Sequence, residues 1–269
     1  MAVSGPIYAD WDPARYGAFR DLRLRPALDL LAQVSELPSG DVVDLGCGDG
    51  AVAEALATRF KPEHPLIGVD ASAAMLERAA ARMTQWANPL YNSLTRADIA
   101  LWAAETPPAL IFSNAALNWL PDHASLMPRL AGMLAPRGVL AVQMPRQEAA
   151  PSHRLLREVA EQLFPGRFPV APSPVLRAGD YAGMLLPYGE VRAWTTEYLQ
   201  MLDPVLQGHP VRAFTESTAM RRFVQGMTAA EVADYVSAYD AALAESYPAL
   251  PDGRVRFPFT RVFFILERS

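Results

Sequence analysis

The stretch Val42-Val43-Asp44-Leu45-Gly46-Cys47-Gly48-Asp49-Gly50 decides the fold of this chain. An apolar run of strand type leads directly into a turn with three glycines, and a helical pattern follows over residues 51–60. Glycine lets the chain turn sharply and lets backbone approach a ligand where a Cβ would clash. This order of strand, glycine turn and helix is typical of the ligand-binding edge of an open α/β sheet.

Short apolar runs alternate with amphipathic segments through the first half of the chain. Further strands are predicted at residues 66–70, 109–114 and 138–144, and further helices at residues 73–83 and 122–134. Because parallel strands need crossover connections, the alternation predicts an α/β fold with a doubly wound, mostly parallel sheet. Runs that are apolar on both faces fit strands that are covered from both sides.

The pattern changes after Pro145. A helix is predicted at residues 152–163, a proline-rich loop at 165–174, strands at 190–202 and 257–267, and helices at 209–225 and 229–246. We interpret residues 203–250 as a helical lid inserted before the last strand, within a single domain that spans residues 1–269.

Composition limits the function classes. The chain has 269 residues, 51% of them hydrophobic, and a formal net charge of −5, which fits one large α/β domain without a broad nucleic-acid surface. The single cysteine, Cys47, fits a reducing compartment. We find no leader pattern, no apolar run of about 20 residues and no metal-ligand spacing, so we expect a cytoplasmic protein without membrane or metal partners.

Acidic side chains in the glycine turn discriminate between two cofactor classes. A nicotinamide dinucleotide site presents backbone N–H groups to a pyrophosphate, which the carboxylates of Asp44 and Asp49 would repel. The same carboxylates suit a cationic ligand, and S-adenosyl-L-methionine carries an ammonium and a sulfonium group. We therefore predict this cofactor, with S-adenosyl-L-homocysteine as its product.

Other cofactor-binding residues are expected where the later strands end. Asp70 could accept both ribose hydroxyls or cap the next helix. Asp98 could accept from the adenine amino group, with Ile99 against the ring, or be a turn residue. Asn114 could contact the methionine portion. The predicted set also contains Gly46, Cys47 and Gly48 of the turn, Ala71 and Met75 beside Asp70, and Trp11 and Tyr16, which belong to an N-terminal arm (residues 1–25) that either covers the cofactor or simply packs.

These residues resemble the class I S-adenosyl-methionine-dependent methyltransferases, and longer blocks are similar to the trans-aconitate methyltransferase family. The blocks are residues 11–16 (WDPARY), 43–48 (VDLGCG), 113–123 (SNAALNWLPDH) and 140–145 (LAVQMP), with Pro151-Ser152-His153 and Tyr247-Pro248. The resemblance implies a Rossmann-like sheet of seven strands with an antiparallel last strand, and monomethyl esterification of trans-aconitate. One departure is residues 216–222 (ESTAMRR), where the family has a glycine-threonine pair.

A carboxylate acceptor is ionised at neutral pH and needs no general base, so we predict no catalytic side chain. A small-molecule polycarboxylate needs several cations, and the planar fork of arginine matches a carboxylate. The candidate substrate ligands are Arg20, Arg146, Arg177, Arg221, Arg222, Arg261, His153, Trp119, Tyr198 and Tyr247. For each arginine the alternative is a solvated surface position, and for Trp119 it is core packing.

Two other hypotheses stay open. The chain could esterify a longer or carrier-bound dicarboxylic acid, or it could bind S-adenosyl-methionine without catalysis. Nucleic-acid methylation is disfavoured by the acidic balance and by the lack of an Asn-Pro-Pro-aromatic motif. We expect a monomer or a weak homo-oligomer.

Overall fold

The computed structural model describes residues 20–84, 89–169, 172–216 and 218–269, with side chains from residue 24 onward. Its helices are α1 (Arg20–Ala32), α2 (Ala53–Phe60), α3 (Ala73–Met83), α4 (His123–Met133), α5 (Pro151–Leu163), α6 (Ala178–Leu185), α7 (Pro210–Glu216), α8 (Arg221–Val224) and α9 (Ala229–Ser246). Its strands are β1 (Val42–Leu45), β2 (Leu66–Asp70), β3 (Ser93–Arg96), β4 (Leu110–Asn114), β5 (Val139–Pro145), β6 (Gly189–Leu202) and β7 (Val255–Arg268).

Within the described ranges, seven strands form one sheet in the order β3-β2-β1-β4-β5-β7-β6. The pairs β3–β2, β2–β1, β1–β4 and β4–β5 are parallel, and β7 runs antiparallel to β5. The predicted fold and the antiparallel last strand are therefore confirmed. Strand order reverses between β1 and β4, and ligands of open α/β sheets bind at the carboxyl edge beside such a reversal.

The chain divides into two compact units. The first, here the sheet unit, comprises Arg23–Pro145, Ser173–Thr196 and Arg261–Ser269. The second, here the helical unit, takes Arg146–Pro172 and Glu197–Thr260 among the described segments. Residues 203–250 therefore share a unit with α5 and the first half of β7. Their role as a lid stays a prediction.

Each unit has its own apolar core. In the sheet unit, Leu130 of α4 and Tyr181 of α6 pack with side chains of the central strands, and Tyr181 stacks on Phe264 of β7 at 4.5 Å. In the helical unit, Phe257 at the start of β7 packs on Phe214 of α7 at 5.1 Å between ring centroids. Burial on both faces of β1 and β5 agrees with their continuous apolar sequences.

One predicted helix needs correction. The single helix predicted over residues 209–225 is wrong, because the chain forms the separate helices α7 and α8 there. The hydroxyl of Thr215 donates to the carbonyl of Val211, and the backbone N–H of Thr218 closes a turn on the carbonyl of Thr215. Threonine hydroxyls compete with helical backbone bonding in this way. Helix α6 was not predicted, since Gly179 and Gly183 weaken its helical pattern.

No helix in the described part of the chain has the length and apolar character needed to cross a membrane. In that same part of the chain, no three His, Cys, Asp or Glu side chains lie close enough together to hold a metal ion.

Candidate active site

The glycine turn after β1 is held against the loop that follows β4. The backbone N–H groups of Gly46 and Cys47 donate to the carbonyl of Val69 at 2.8 and 3.0 Å. Gly46 has a φ of +81°, and a Cβ added there would overlap the Cβ of Ala116 and lie 3.3 Å from Ile99 Cδ1. Only glycine permits this approach, so the loops after β1 and β4 meet at the predicted ligand edge.

Asp70 is fixed by two backbone donors at the same edge. The N–H of Gly48 donates to Oδ2 at 2.9 Å, and the N–H of Ser72 donates to Oδ1 at 2.8 Å. The side chain that caps α3 is Ser72, whose hydroxyl accepts from the N–H of Met75 at 3.3 Å. A carboxylate offers about four acceptor positions, so Asp70 keeps acceptor capacity for ligand hydroxyls.

Gly48 leaves open space above the turn. Its φ is +55°, and a Cβ built there meets no atom within 4 Å. The other predicted contacts near Asp70 are also at this edge: Ala71 follows β2, where its carbonyl accepts from Arg96 Nε at 3.4 Å, and Met75 lies in the first turn of α3. The open space above Gly48, the carboxylate of Asp70 and the start of α3 together form a candidate nucleoside site.

Asp44 is a buried carboxylate with a neutral partner. Its side chain is on β1, the residue is 1% exposed, and the hydroxyl of Tyr91 donates to Oδ2 at 2.6 Å. The pKa of Asp44 is raised to about 7: burial is the largest cause, the hydrogen bond from Tyr91 opposes it, and the negative charge of Asp70 adds a smaller rise. Among the described residues, no cation pairs with Asp44. A cationic ligand nearby would favour its ionised form.

Two other side chains of the turn, Asp49 and Cys47, add no uncompensated charge to the site. The carboxylate of Asp49 pairs with the guanidinium of Arg82 at 2.6 Å, a pairing that the sequence did not predict. Burial, reinforced by the charges of Asp44 and Asp70, raises the pKa of the Cys47 thiol far above its ordinary value. The negative charge of the site therefore comes from Asp44 and Asp70, with Cys47 as a small neutral group.

The loop after β3 places Asp98 and Ile99. Asp98 is exposed, and its Oδ1 accepts from the N–H of Ala100 at 2.9 Å, so it is a turn residue; its contact with adenine stays a prediction. Ile99 is buried and faces Gly46. Arg129 of α4 donates to the carbonyls of Ile99 and Trp102, the former at 2.8 Å. This clamp, which the sequence did not reveal, fixes the loop.

A chain of polar side chains orients Asn114 at the end of β4. The Arg261 guanidinium donates to Gln143 Oε1 at 3.0 Å, and Gln143 Nε2 donates to Asn114 Oδ1. Arg261 is 3% exposed and Gln143 is fully buried, so the chain is held rigidly in the sheet unit. Trp119 is 52% exposed in the short turn that follows, which is incompatible with core packing.

The helical unit collects several of the predicted substrate ligands. His153 Nδ1 lies 3.0 Å from the hydroxyl of Ser152 on α5. Burial, followed by the positive charges of Arg222 and Arg157, lowers the pKa of His153 to about 4. The Tyr247 hydroxyl accepts from the N–H of Ser152 at 3.0 Å. Arg157 was missed by sequence reasoning, although its spacing of four from His153 places both on one helix face.

The remaining candidates are scattered. Arg146 pairs with Glu148 at 3.7 Å, Tyr198 is half-buried on β6, Arg177 is exposed before α6, and Arg221 begins α8. Arg177 and Arg261 belong to the sheet unit, and the other three to the helical unit. Trp11, Tyr16 and the side chain of Arg20 lie outside the described residues.

Comparison with known proteins gives concordant results. A family model described as a methyltransferase domain matches residues 16–210. A trans-aconitate 2-methyltransferase of Methylobacterium nodulans is 43% identical over 267 residues, covering 97% of this chain and 99% of that protein. One of Methylobacterium radiotolerans is 42% identical over 272 residues with the same coverage. The solved YcgJ protein of Bacillus subtilis matches in fold, with a TM-score of 0.55 at 16% identity over 91% of this chain and 99% of that one.

Proposed function

The chain belongs to the trans-aconitate 2-methyltransferase family, and we propose that it converts trans-aconitate and S-adenosyl-methionine to the monomethyl ester and S-adenosyl-homocysteine. Family membership agrees with the resemblance found in the sequence. When bound, the cofactor would supply a sulfonium methyl group; a carboxylate oxygen would form a C–O bond to this methyl carbon as the C–S bond breaks and its electron pair returns to sulfur, which leaves as the neutral thioether. The carboxylate loses its charge in the same step, so the charges balance.

The observation that carries the proposal is the pair of carboxylates at the glycine turn. Asp70 is aligned by two backbone N–H donors, and Asp44 lies buried with no ion pair to any cation that the structure describes. An uncompensated negative site selects a positively charged ligand and disfavours a pyrophosphate. Asp70 is the proposed ribose ligand, and Asp44 supplies the negative field for the cationic end.

The side chains around this site support transfer to an ionised acid. A carboxylate is a nucleophile at neutral pH, so the chain needs to hold, orient and desolvate it, not to remove a proton. The raised pKa of Cys47 keeps its thiol protonated. Since the thiolate is the reactive form of cysteine, this protects the enzyme from methylation of its own cysteine.

The test is a methyl-transfer assay with purified protein, labelled S-adenosyl-methionine and a panel of acids. The panel contains trans-aconitate, its cis isomer, a saturated tricarboxylic acid and a monocarboxylic acid. We expect a monomethyl ester of trans-aconitate, and loss of turnover in Asp70→Asn but not in Asp234→Asn, which changes an exposed carboxylate on α9. Turnover of another acid without any ester of trans-aconitate would refute the substrate.

We further propose that the enzyme acts in the cytoplasm as a monomer or weak homo-oligomer, without a nucleic-acid partner. The formal net charge of −5 supports the lack of a nucleic-acid partner, because nucleic-acid binding needs a basic face. Sedimentation of the purified chain with and without duplex DNA is the corresponding test, and a stable complex with DNA would contradict it.

A further inference from the structure

The helical unit contains a group of basic side chains that cofactor binding does not use. His153 and Arg157 lie one turn apart on α5, and Arg157 Nη1 donates to the carbonyl of His153 at 3.3 Å. The charges of Arg222 and Arg157 both act on the His153 imidazole, and the charge of Arg157 acts on Arg222. These three side chains are called the basic cluster below.

Aromatic packing fixes Arg222 beside α5. Its guanidinium lies over the ring of Phe223, 4.8 Å from the centroid. Phe223 packs on Tyr235, with 5.9 Å between centroids, and the Tyr235 hydroxyl donates to the carbonyl of Leu156 on α5 at 2.9 Å. A guanidinium stacked on an aromatic face keeps its N–H edge available for a ligand. The cluster is therefore positioned by buried contacts.

The cluster carries positive charge without a matching carboxylate. Arg157 Nη2 donates to the backbone carbonyl of Glu148 at 2.8 Å. Among the described residues, no carboxylate forms an ion pair with Arg157 or Arg222. Desolvation and the charge of Arg157 lower the pKa of Arg222. A ligand with several carboxylates would relieve this repulsion and gain charge-assisted hydrogen bonds.

His153 adds a neutral group at the same place. Its Nδ1 is held by the hydroxyl of Ser152 at 3.0 Å, while Nε2 has no hydrogen-bond partner among the described groups. Ser152 itself is fixed, since its N–H donates to the Tyr247 hydroxyl and its carbonyl accepts from the Tyr239 hydroxyl at 2.6 Å. One nitrogen that is held in place orients the other toward a ligand.

We propose that His153, Arg157 and Arg222 bind the carboxylates of trans-aconitate that do not receive the methyl group, and so set the preference for a tricarboxylic acid. The inference rests on the proposed function and adds to it the residues that select the substrate. The three are binding residues, because none of them is needed to activate an acid that is already ionised.

Arg222→Gln is the sharpest test, because this guanidinium stacks on Phe223 and forms no ion pair with a described carboxylate that the substitution would break. Arg154→Gln is the matched control, since Arg154 is also on α5 but pairs with Glu158 at 2.6 Å. We expect Arg222→Gln to raise the KM for trans-aconitate at least about tenfold, the effect of losing a hydrogen bond to a charged group. The affinity of this variant for S-adenosyl-methionine should not change. Its preference for trans-aconitate over a monocarboxylic acid, measured as the ratio of kcat/KM values, should become smaller. Arg154→Gln should match the wild type in all three.

Arg157→Gln is the second variant, and the split between KM and cofactor affinity separates ligand binding from a structural role. If the wild type forms the ester while Arg222→Gln and Arg157→Gln both keep its KM, the inference is overturned and the proposed function stands.

Calorimetric titration of trans-aconitate into the protein with S-adenosyl-homocysteine covers the opposite case. If the wild type forms no ester, the proposed function fails. The titration then shows whether the basic cluster still binds trans-aconitate. Binding to the wild type that is lost in Arg222→Gln supports the inference. Equal binding by both proteins, or none by the wild type, overturns it.

Discussion

Replacing Asp44 by asparagine should stabilise the ligand-free protein while weakening its cofactor site. Asp44 is 1% exposed, and burial raises its pKa from 3.8 to about 7. The folded protein therefore binds more protons than the unfolded chain between these pH values, so this carboxyl lowers stability as the pH rises through them. Asparagine has a similar shape and can still accept from the Tyr91 hydroxyl, but it carries no charge.

The magnitude follows from the pKa of Asp44. At about 1.36 kcal/mol per pKa unit, the rise from 3.8 to about 7 corresponds to at most about 4 kcal/mol above neutral pH. The buried amide still loses hydration, so we expect Asp44→Asn to gain about 1–3 kcal/mol at about pH 8. The gain should shrink as the pH falls from about 7 toward 4 and vanish below about pH 3, where the carboxyl is protonated in both states.

Urea unfolding of the ligand-free protein at several pH values measures this gain, and calorimetry measures the affinity for S-adenosyl-methionine. Asp234→Asn, which removes an exposed carboxylate, is the control and should change neither quantity. We expect Asp44→Asn to bind the cofactor more weakly, since the negative field is lost. A variant that is less stable than the wild type at high pH and binds the cofactor equally well would refute the reasoning.

Four further variants test the same site. Gly46→Ala should abolish folding or cofactor binding, because the added Cβ overlaps Ala116. Gly48→Ala has open space around its Cβ and should lose only about 1–2 kcal/mol of stability for a φ of +55°, yet its Cβ should block the cofactor. A calorimetric affinity for S-adenosyl-methionine equal to that of the wild type in either variant would contradict this. Asp70→Ala should weaken S-adenosyl-methionine binding by about 1–3 kcal/mol, and unchanged affinity would exclude it as the ribose ligand. Tyr91→Phe removes a hydrogen bond that lowers the pKa of Asp44, so cofactor affinity should begin to fall at a higher pH during acid titration; an unshifted profile would contradict this.

Local patterns predicted much of the architecture. The bounds of β2, α3 and α9 agree with their predictions to the residue: β2 is a short apolar run, and the two helices have capping residues at their starts. Ser72 caps α3, and Thr228 with Glu231 forms a capping box before α9. The glycine turn predicted the ligand edge, since the carboxyl ends of parallel strands meet there.

Contacts between distant side chains could not be predicted in the same way. Asp44 and Tyr91 are 47 positions apart, and Asp49 of the glycine turn pairs with Arg82 of α3, so no periodicity connects either pair. Sequence reasoning therefore assigned Asp49 a free charge that the structure compensates. The clamp of Arg129 on the loop after β3 is a similar case.

Calorimetric titration of the purified chain with S-adenosyl-methionine, S-adenosyl-homocysteine and NAD tests the central claim most directly, because it asks which ligand the acidic glycine turn accepts. We predict saturable one-to-one binding of the sulfonium cofactor and of its demethylated product, and no binding of NAD. Binding of NAD with no heat from either sulfur nucleoside would contradict the account.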